Sequence, residues 1–276
     1  MKVLAAIAPD LAASRVLAGS AMIAQLLRAE VEALHVEESS SSDHAQGREA
    51  AEATAEAAAA AAAGAAAAAR RAGVAIRTLR GRAIAEISAA AAASDVAAVA
   101  LGTRGTLRAD ETGHTALALI SAVEKPVLVV SPDAIVRPQL HRMLMPLDRA
   151  PVSATALAGI LHSAASAGVE VVVAHIQEQE TLPAFGDHLA HEVKAWTEEF
   201  VARRLLDSQA TRLELRVGEP AERILEICEH CNCDLVVLGW RRDLSAGRAR
   251  IVRAMLARSS VPVLLAPICP NALGEL

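Results

Sequence analysis

The chain has 276 residues, with 27 lysines and arginines against 32 aspartates and glutamates, for a formal charge of −5 at pH 7. That balance excludes a general electrostatic grip on nucleic acid, and two Phe, two Trp and no Tyr leave no stacking platform for single strands. A length near twice the usual domain mode points to two domains.

In chain order, the short run Val3–Ala8 reads as a first strand, and Asp10 follows it too soon for a secretory leader. No stretch approaches the roughly 18 apolar residues of a membrane span. Further β-branched runs at Val31–Val36, Val74–Leu79, Val96–Leu101 and Val127–Val130 fit buried strands. Helical stretches separate them at Ala12–Arg28, Arg48–Arg71 and Ile84–Ala93. Ser39–Asp43 is expected to be a loop that supplies an N-cap for the alanine-rich second helix, which is read as a helix and nothing more. Strands then recur at Met143–Leu147, Val169–Ile176, Arg212–Val217, Leu235–Leu238 and Val263–Leu265, with helices at Ser153–Ala167, His188–Leu206 and Ala221–Glu229. Parallel neighbours need long crossovers, so this alternation predicts an α/β fold with a doubly wound parallel sheet in each half.

The second series repeats the first. Val31–Val36 aligns with Val171–Ile176, Arg80–Ile87 with Val217–Ile224, Val99–Gly102 with Val236–Gly239, and Lys125–Val130 with Val261–Ala266. The offsets are 140, 137, 137 and 136, in one order. This is a tandem duplication, with domains expected at residues 1–136 and 137–276.

Cys228, Cys231, Cys233 and Cys269 all lie late, which is no disulfide framework and favours a reducing, cytoplasmic setting. Three of these thiols with His230 have metal-ligand chemistry, but consecutive residues at a helix end diverge, so small buried hydrophobes are expected instead. His188 and His191 share a helix face without a partner cluster, and solvent exposure is the expectation. His35 and His175 end equivalent strands, where a structural role is favoured over catalysis. No nucleophile elbow, Walker loop or zinc-protease motif is present, and no enzyme activity is expected.

Several blocks together carry a resemblance: Met143–Asp148, the His-ending strands at His35 and His175, Val217–Ala221, the Leu-Gly-Thr-Arg-Gly turn at 101–105, and the closing Pro-Val-Leu-Val-Val at 126–130. Each half resembles a universal stress protein domain, and the whole chain resembles a tandem member. The resemblance implies a five-stranded sandwich of the adenine-nucleotide α-hydrolase-like kind. Some members bind ATP through Gly-x2-Gly-x9-Gly-(Ser/Thr) and an aspartate ending the first strand. Glycines admit close phosphate approach, and a helix N-terminus adds a favourable dipole.

Carried onto this chain, the first half keeps Gly102, Arg104 and Gly105, then Gly113, His114 and Thr115, with a spacer shorter than the family's. Its strand-1 aspartate is displaced to Asp10. The second half keeps Asp148 but loses the second glycine to Arg242 and reads Ala249-Arg250 at the third block. Arg241, Arg242, Arg248, Arg250 and Arg253 gather there, and could hold a phosphate by side chains or else form a solvated face or a contact between domains. The expected function is a stress-response binding or sensor module with a degenerate site for ATP or AMP, the first half favoured. The alternatives are an interaction scaffold with both sites decayed, or a weak nucleotide hydrolase. The closing strands Val127–Val130 and Val263–Leu265 are expected to pack the halves as an internal pseudo-dimer, leaving a monomer or a dimer of tandem chains open.

Overall fold

The computed structural model describes residues 1–8, 12–37, 48–103, 114–147, 151–177, 211–244 and 249–268. The first half contains β1 (Lys2–Ala6), α1 (Ala12–Leu27), β2 (Glu30–Glu37), α2 (Arg48–Arg71), β3 (Ala75–Arg80), α3 (Ala83–Ala91), β4 (Val96–Gly102), α4 (His114–Ala122) and β5 (Val127–Val130). The second contains β6 (Arg142–Pro146), α5 (Pro151–Ala167), β7 (Glu170–Gln177), β8 (Thr211–Val217), α6 (Pro220–His230), β9 (Leu235–Trp240), α7 (Arg250–Arg258) and β10 (Val263–Pro267). The expected Ser39–Asp43 loop and His188–Leu206 helix lie outside the described residues. Two helices that periodicity did not single out, α4 and α7, complete each half's alternation.

Among the described residues, ten strands form a single sheet in the order β3-β2-β1-β4-β5-β10-β9-β6-β7-β8. Neighbours within each half are parallel. At the centre β5 and β10 run antiparallel, with Val263 opposite Val129, Leu264 opposite Leu128 and Leu265 opposite Val127. Each closing strand thereby gains a partner for an apolar edge that would otherwise template aggregation.

Both sheet faces are covered, as parallel strands require. One apolar layer contains Val16, Leu17 and Ile23 of α1, Ala65, Ala68 and Ala69 of α2, Leu157 and Ile160 of α5, and Leu128 and Leu264. The opposite layer contains residues of α3, α4, α6 and α7 with Val127, Val129, Val263 and Leu265. Aromatic side chains are nearly absent from these layers, so small residues must close the gaps. A Cβ on Gly19 of α1 would lie 3.1 Å from Leu128 and from Val130, and glycine there lets α1 settle onto β5. Among the described residues no helix is long and apolar enough to cross a membrane.

The segment between β5 and β6 is tied to the second half. The Ile135 amide donates to the Ser260 carbonyl at 2.8 Å. Asp234 is buried and accepts from Arg137 Nη1 at 2.6 Å and from the amides of His141 and Arg142 at 2.8 and 2.9 Å.

Candidate functional site

In an open parallel sheet, ligands gather outside the carboxyl ends of the strands. In the first half β1 and β4 are neighbours, with Ala6 opposite Leu101. Gly102 closes β4, and a Cβ there would meet Val16 at 3.2 Å and Ala12 at 3.6 Å, both on α1. Its smallness leaves room for α1 to pack closely, at the start of the stretch where the resemblance implies phosphate approach. The next residue, Thr103, is 1% exposed, and its amide donates to the Val130 carbonyl at 3.2 Å. Its Oγ1 has no hydrogen-bond partner among the described residues. A buried hydroxyl left unpaired is disfavoured unless something outside the fold satisfies it.

The strand-ending histidines hold the same edge. His35 Nδ1 lies 3.1 Å from the Ile7 carbonyl and His175 Nδ1 lies 3.0 Å from that of Leu147. A carbonyl only accepts, so each ring carries its proton on Nδ1 and donates. These bonds anchor the chain just before Asp10 and Asp148, consistent with the structural role expected for both histidines. Asp10, Arg104, Gly105, Gly113 and Asp148 themselves lie outside the described residues. His114 begins α4, and Thr115 is exposed in that helix's first turn.

The second half is built differently at the matching place. Gly239 again admits a close neighbour, since a Cβ would lie 2.9 Å from Ile268 Cδ1. Trp240 takes the position of Thr103 and is buried in the apolar layer. Arg241 is exposed. Arg242 departs from the expectation of a guanidinium presented to phosphate. Its donors reach the Ser121 and Ala122 carbonyls and the Glu124 carboxylate of the first half. Arg250 is likewise taken up, with Nη2 at 3.2 Å from Glu219, which itself caps α6 by accepting from the Glu222 amide. Arg253 donates to the Leu244 carbonyl at 2.7 Å. The acceptors that claim Arg242 and Arg250 are 121 and 31 residues away, so only the folded chain reveals them.

Repeated fold and repeated edge anchors converge with one comparison. The universal stress protein family model matches residues 1–131 and again 139–267. The chain belongs to the universal stress protein family. Two matches make it a tandem member. Among solved structures it is similar to a universal stress protein from Archaeoglobus fulgidus DSM 4304, with TM-score 0.70 at 18% identity, over 97% of this chain and 98% of that one. It is also similar to a functionally unknown protein from Pseudomonas aeruginosa PAO1, with TM-score 0.62 at 15% identity, over 97% and 92%. At such identities the likeness bears on the fold alone. No curated protein matches the chain.

The cysteine cluster of this universal stress protein sits in a different place from the strand ends. Cys228, Cys231 and Cys233 are all buried in the layer that holds α6 and α7. Among the described residues no group of three or more His, Cys, Asp or Glu is arranged to hold a metal. Hydrogen bonding with Cys228, then burial, pushes the Cys233 thiol far above its ordinary pKa, and burial raises that of Cys231. Both therefore ionise at higher pH folded than unfolded. Their contribution to stability is complete below the ordinary thiol value of 9.0 and is lost as pH rises beyond it. Unfolding free energies from urea denaturation between pH 7 and 10.5 are expected to fall above pH ~9, by about 1 kcal/mol per pH unit more in wild type than in a Cys231→Ala/Cys233→Ala variant. Parallel declines in the two proteins would show that the thiols do not titrate this way.

Proposed function

We propose that this tandem universal stress protein is a cytoplasmic stress-response sensor whose first half binds an adenine nucleotide, ATP or AMP, in a degenerate site. The observation that carries the reading is the contrast at equivalent strand ends. After β4 the chain has Thr103 with a buried hydroxyl and no protein partner among the described residues, whereas after β9 it has a buried tryptophan and an arginine already bonded to protein. Gly102, Arg104, Gly105, Gly113, His114 and Thr115 would form the phosphate side, with backbone amides and the α4 N-terminus facing the anion. Asp10 would face the adenosine. The second half, with Arg242 and Arg250 engaged elsewhere, would be the silent partner despite Asp148. The domain limits 1–136 and 137–276 fit this division, and the β5–β10 pairing supports an internal pseudo-dimer.

Calorimetric titration tests the reading. ATP or AMP is expected to bind wild type at one site per chain, with Kd on the order of 0.1 mM, or roughly −5.5 kcal/mol. Gly105→Glu, which puts a carboxylate against the phosphates, is expected to abolish that heat, and Asp148→Ala to leave it unchanged. No heat with wild type at millimolar nucleotide would favour the interaction-scaffold reading instead.

A further inference from the structure

Arg242 occupies the place where the first half has Gly105, since Gly239 matches Gly102. Its backbone is left-handed, with φ +60°. Glycine adopts that conformation freely, while an L-residue with a side chain does so at an energetic disadvantage. What offsets it is the side chain. Nε and Nη2 donate to the Ser121 carbonyl at 3.3 and 3.1 Å, and Nη2 also donates to the Ala122 carbonyl at 3.3 Å. Nη1 completes the set at 3.1 Å from Glu124 Oε1.

Ser121 and Ala122 are the last residues of α4, and their carbonyls are among the orphan acceptors that every helix leaves at its C-terminus. No basic residue of α4 itself lies in its last turn. The cation that complements this end of the helix dipole therefore comes from the other half of the chain. α4 has nine residues, which is too short to be stable alone, so its ends and its packing decide whether it holds together. Its first residue, His114, stands at the third block of the first half's proposed nucleotide site.

We infer that Arg242 is a positioning residue for that site, acting through α4. It closes the C-terminus of the helix from the second half, so the N-terminal turn is set before an anion arrives. The second half has lost its own second glycine and uses the replacement to support the first half's phosphate end. This rests on the nucleotide reading above. It adds that ligand affinity in the first half depends on the segment between β9 and α7 in the second.

The full chain serves for the test, as wild type, Arg242→Gly and Arg242→Lys. The glycine variant keeps the left-handed backbone without strain and removes the whole side chain, whereas Arg242→Lys keeps an aliphatic stem and a charge. Two readouts are taken, amide hydrogen exchange in α4 without ligand and calorimetric titration with ATP. Exchange at Ala118–Val123 is expected to speed up at least tenfold in Arg242→Gly, and ATP affinity to fall three- to tenfold. Arg242→Lys, with its charge but no fork, is expected to restore part of both. Unchanged exchange in the glycine variant would overturn the capping role. Wild-type and Arg242→Gly chains that bind ATP equally would overturn the coupling alone. A wild type that gives no ATP heat would overturn the nucleotide reading, and the coupling with it, while the exchange data still decide the cap.

Discussion

Truncating Leu128 to alanine is expected to lower stability by about 3 kcal/mol, and Leu264→Ala by a similar amount. Both side chains are fully buried, and they stand directly opposite one another where β5 and β10 meet. Each truncation removes buried methyl groups and leaves a cavity that a sheet gripped on both faces by helices closes poorly. Because each leucine is the other's cross-strand neighbour, the double variant is expected to be less destabilised than the sum, by about 1 kcal/mol. The two tryptophans, Trp196 and Trp240, both belong to the second half, so intrinsic fluorescence reports on that half. Urea unfolding of Leu128→Ala followed by fluorescence is thus the sharp measurement. A change made in the first half is expected to shift a transition seen only from the second. If the fluorescence midpoint stays at the wild-type value and the double variant is strictly additive, the two closing strands do not bind the halves into one unit.

The repeat made most of this architecture legible in advance. Val31–Val36 and Val171–Ile176 lie inside β2 and β7, and the pairing of Val127–Val130 with Val263–Leu265 follows from two apolar closing strands with no other cover. Local pattern suffices for such elements because burial on both sheet faces writes a continuous apolar run. α7 was harder to see. Its apolar residues Ile251, Val252, Met255 and Leu256 are interleaved with Arg250, Arg253 and Arg258, and that charge masks an amphipathic helix. The arginines were misleading for a physical reason. A guanidinium that could grip phosphate is equally suited to carbonyls and carboxylates, and the Ser121 carbonyl and Glu219 that claim Arg242 and Arg250 are 121 and 31 residues away. Thr103 left no sequence signal, since a threonine after a strand is ordinary until its hydroxyl is found buried and unpaired. The glycine pattern of the proposed site is legible in the sequence, but the competition for the nearby arginines requires the fold.

Asp234→Ala is expected to remove about 3 kcal/mol, a large effect for a single polar side chain. Asp95, the aspartate that leads into β4 of the first half, is expected to be nearly neutral on truncation. Each stands directly before a strand that carries the loop glycine, Asp95 before β4 and Asp234 before β9, although the repeat offset of 137 sets Ala97 rather than Asp95 opposite Asp234. Asp95 is 58% exposed at its side chain and pairs with Lys2 Nζ at 3.1 Å. Water screens such a pair, and it replaces the lost partner on either side. The Asp234 side chain is fully buried, and its two oxygens accept from Arg137 and from two successive backbone amides, His141 and Arg142. Alanine deprives all three donors at once, and each donor left unpaired in a partly buried place is destabilising by roughly 1 kcal/mol or more. The two amides lie where the connecting segment enters β6, so their loss loosens the second half where the chain leaves the first. Asn at 234 keeps the shape and one acceptor oxygen and is expected to recover about half. Parallel chemical denaturation of Asp234→Ala, Asp234→Asn and Asp95→Ala gives the comparison. Equal losses at 95 and 234 would mean that burial and the two backbone amides add nothing to what a surface ion pair supplies. The expected inequality would mean that Asp234 is a buried clasp on the segment that enters β6, whereas Asp95 contributes only a surface ion pair.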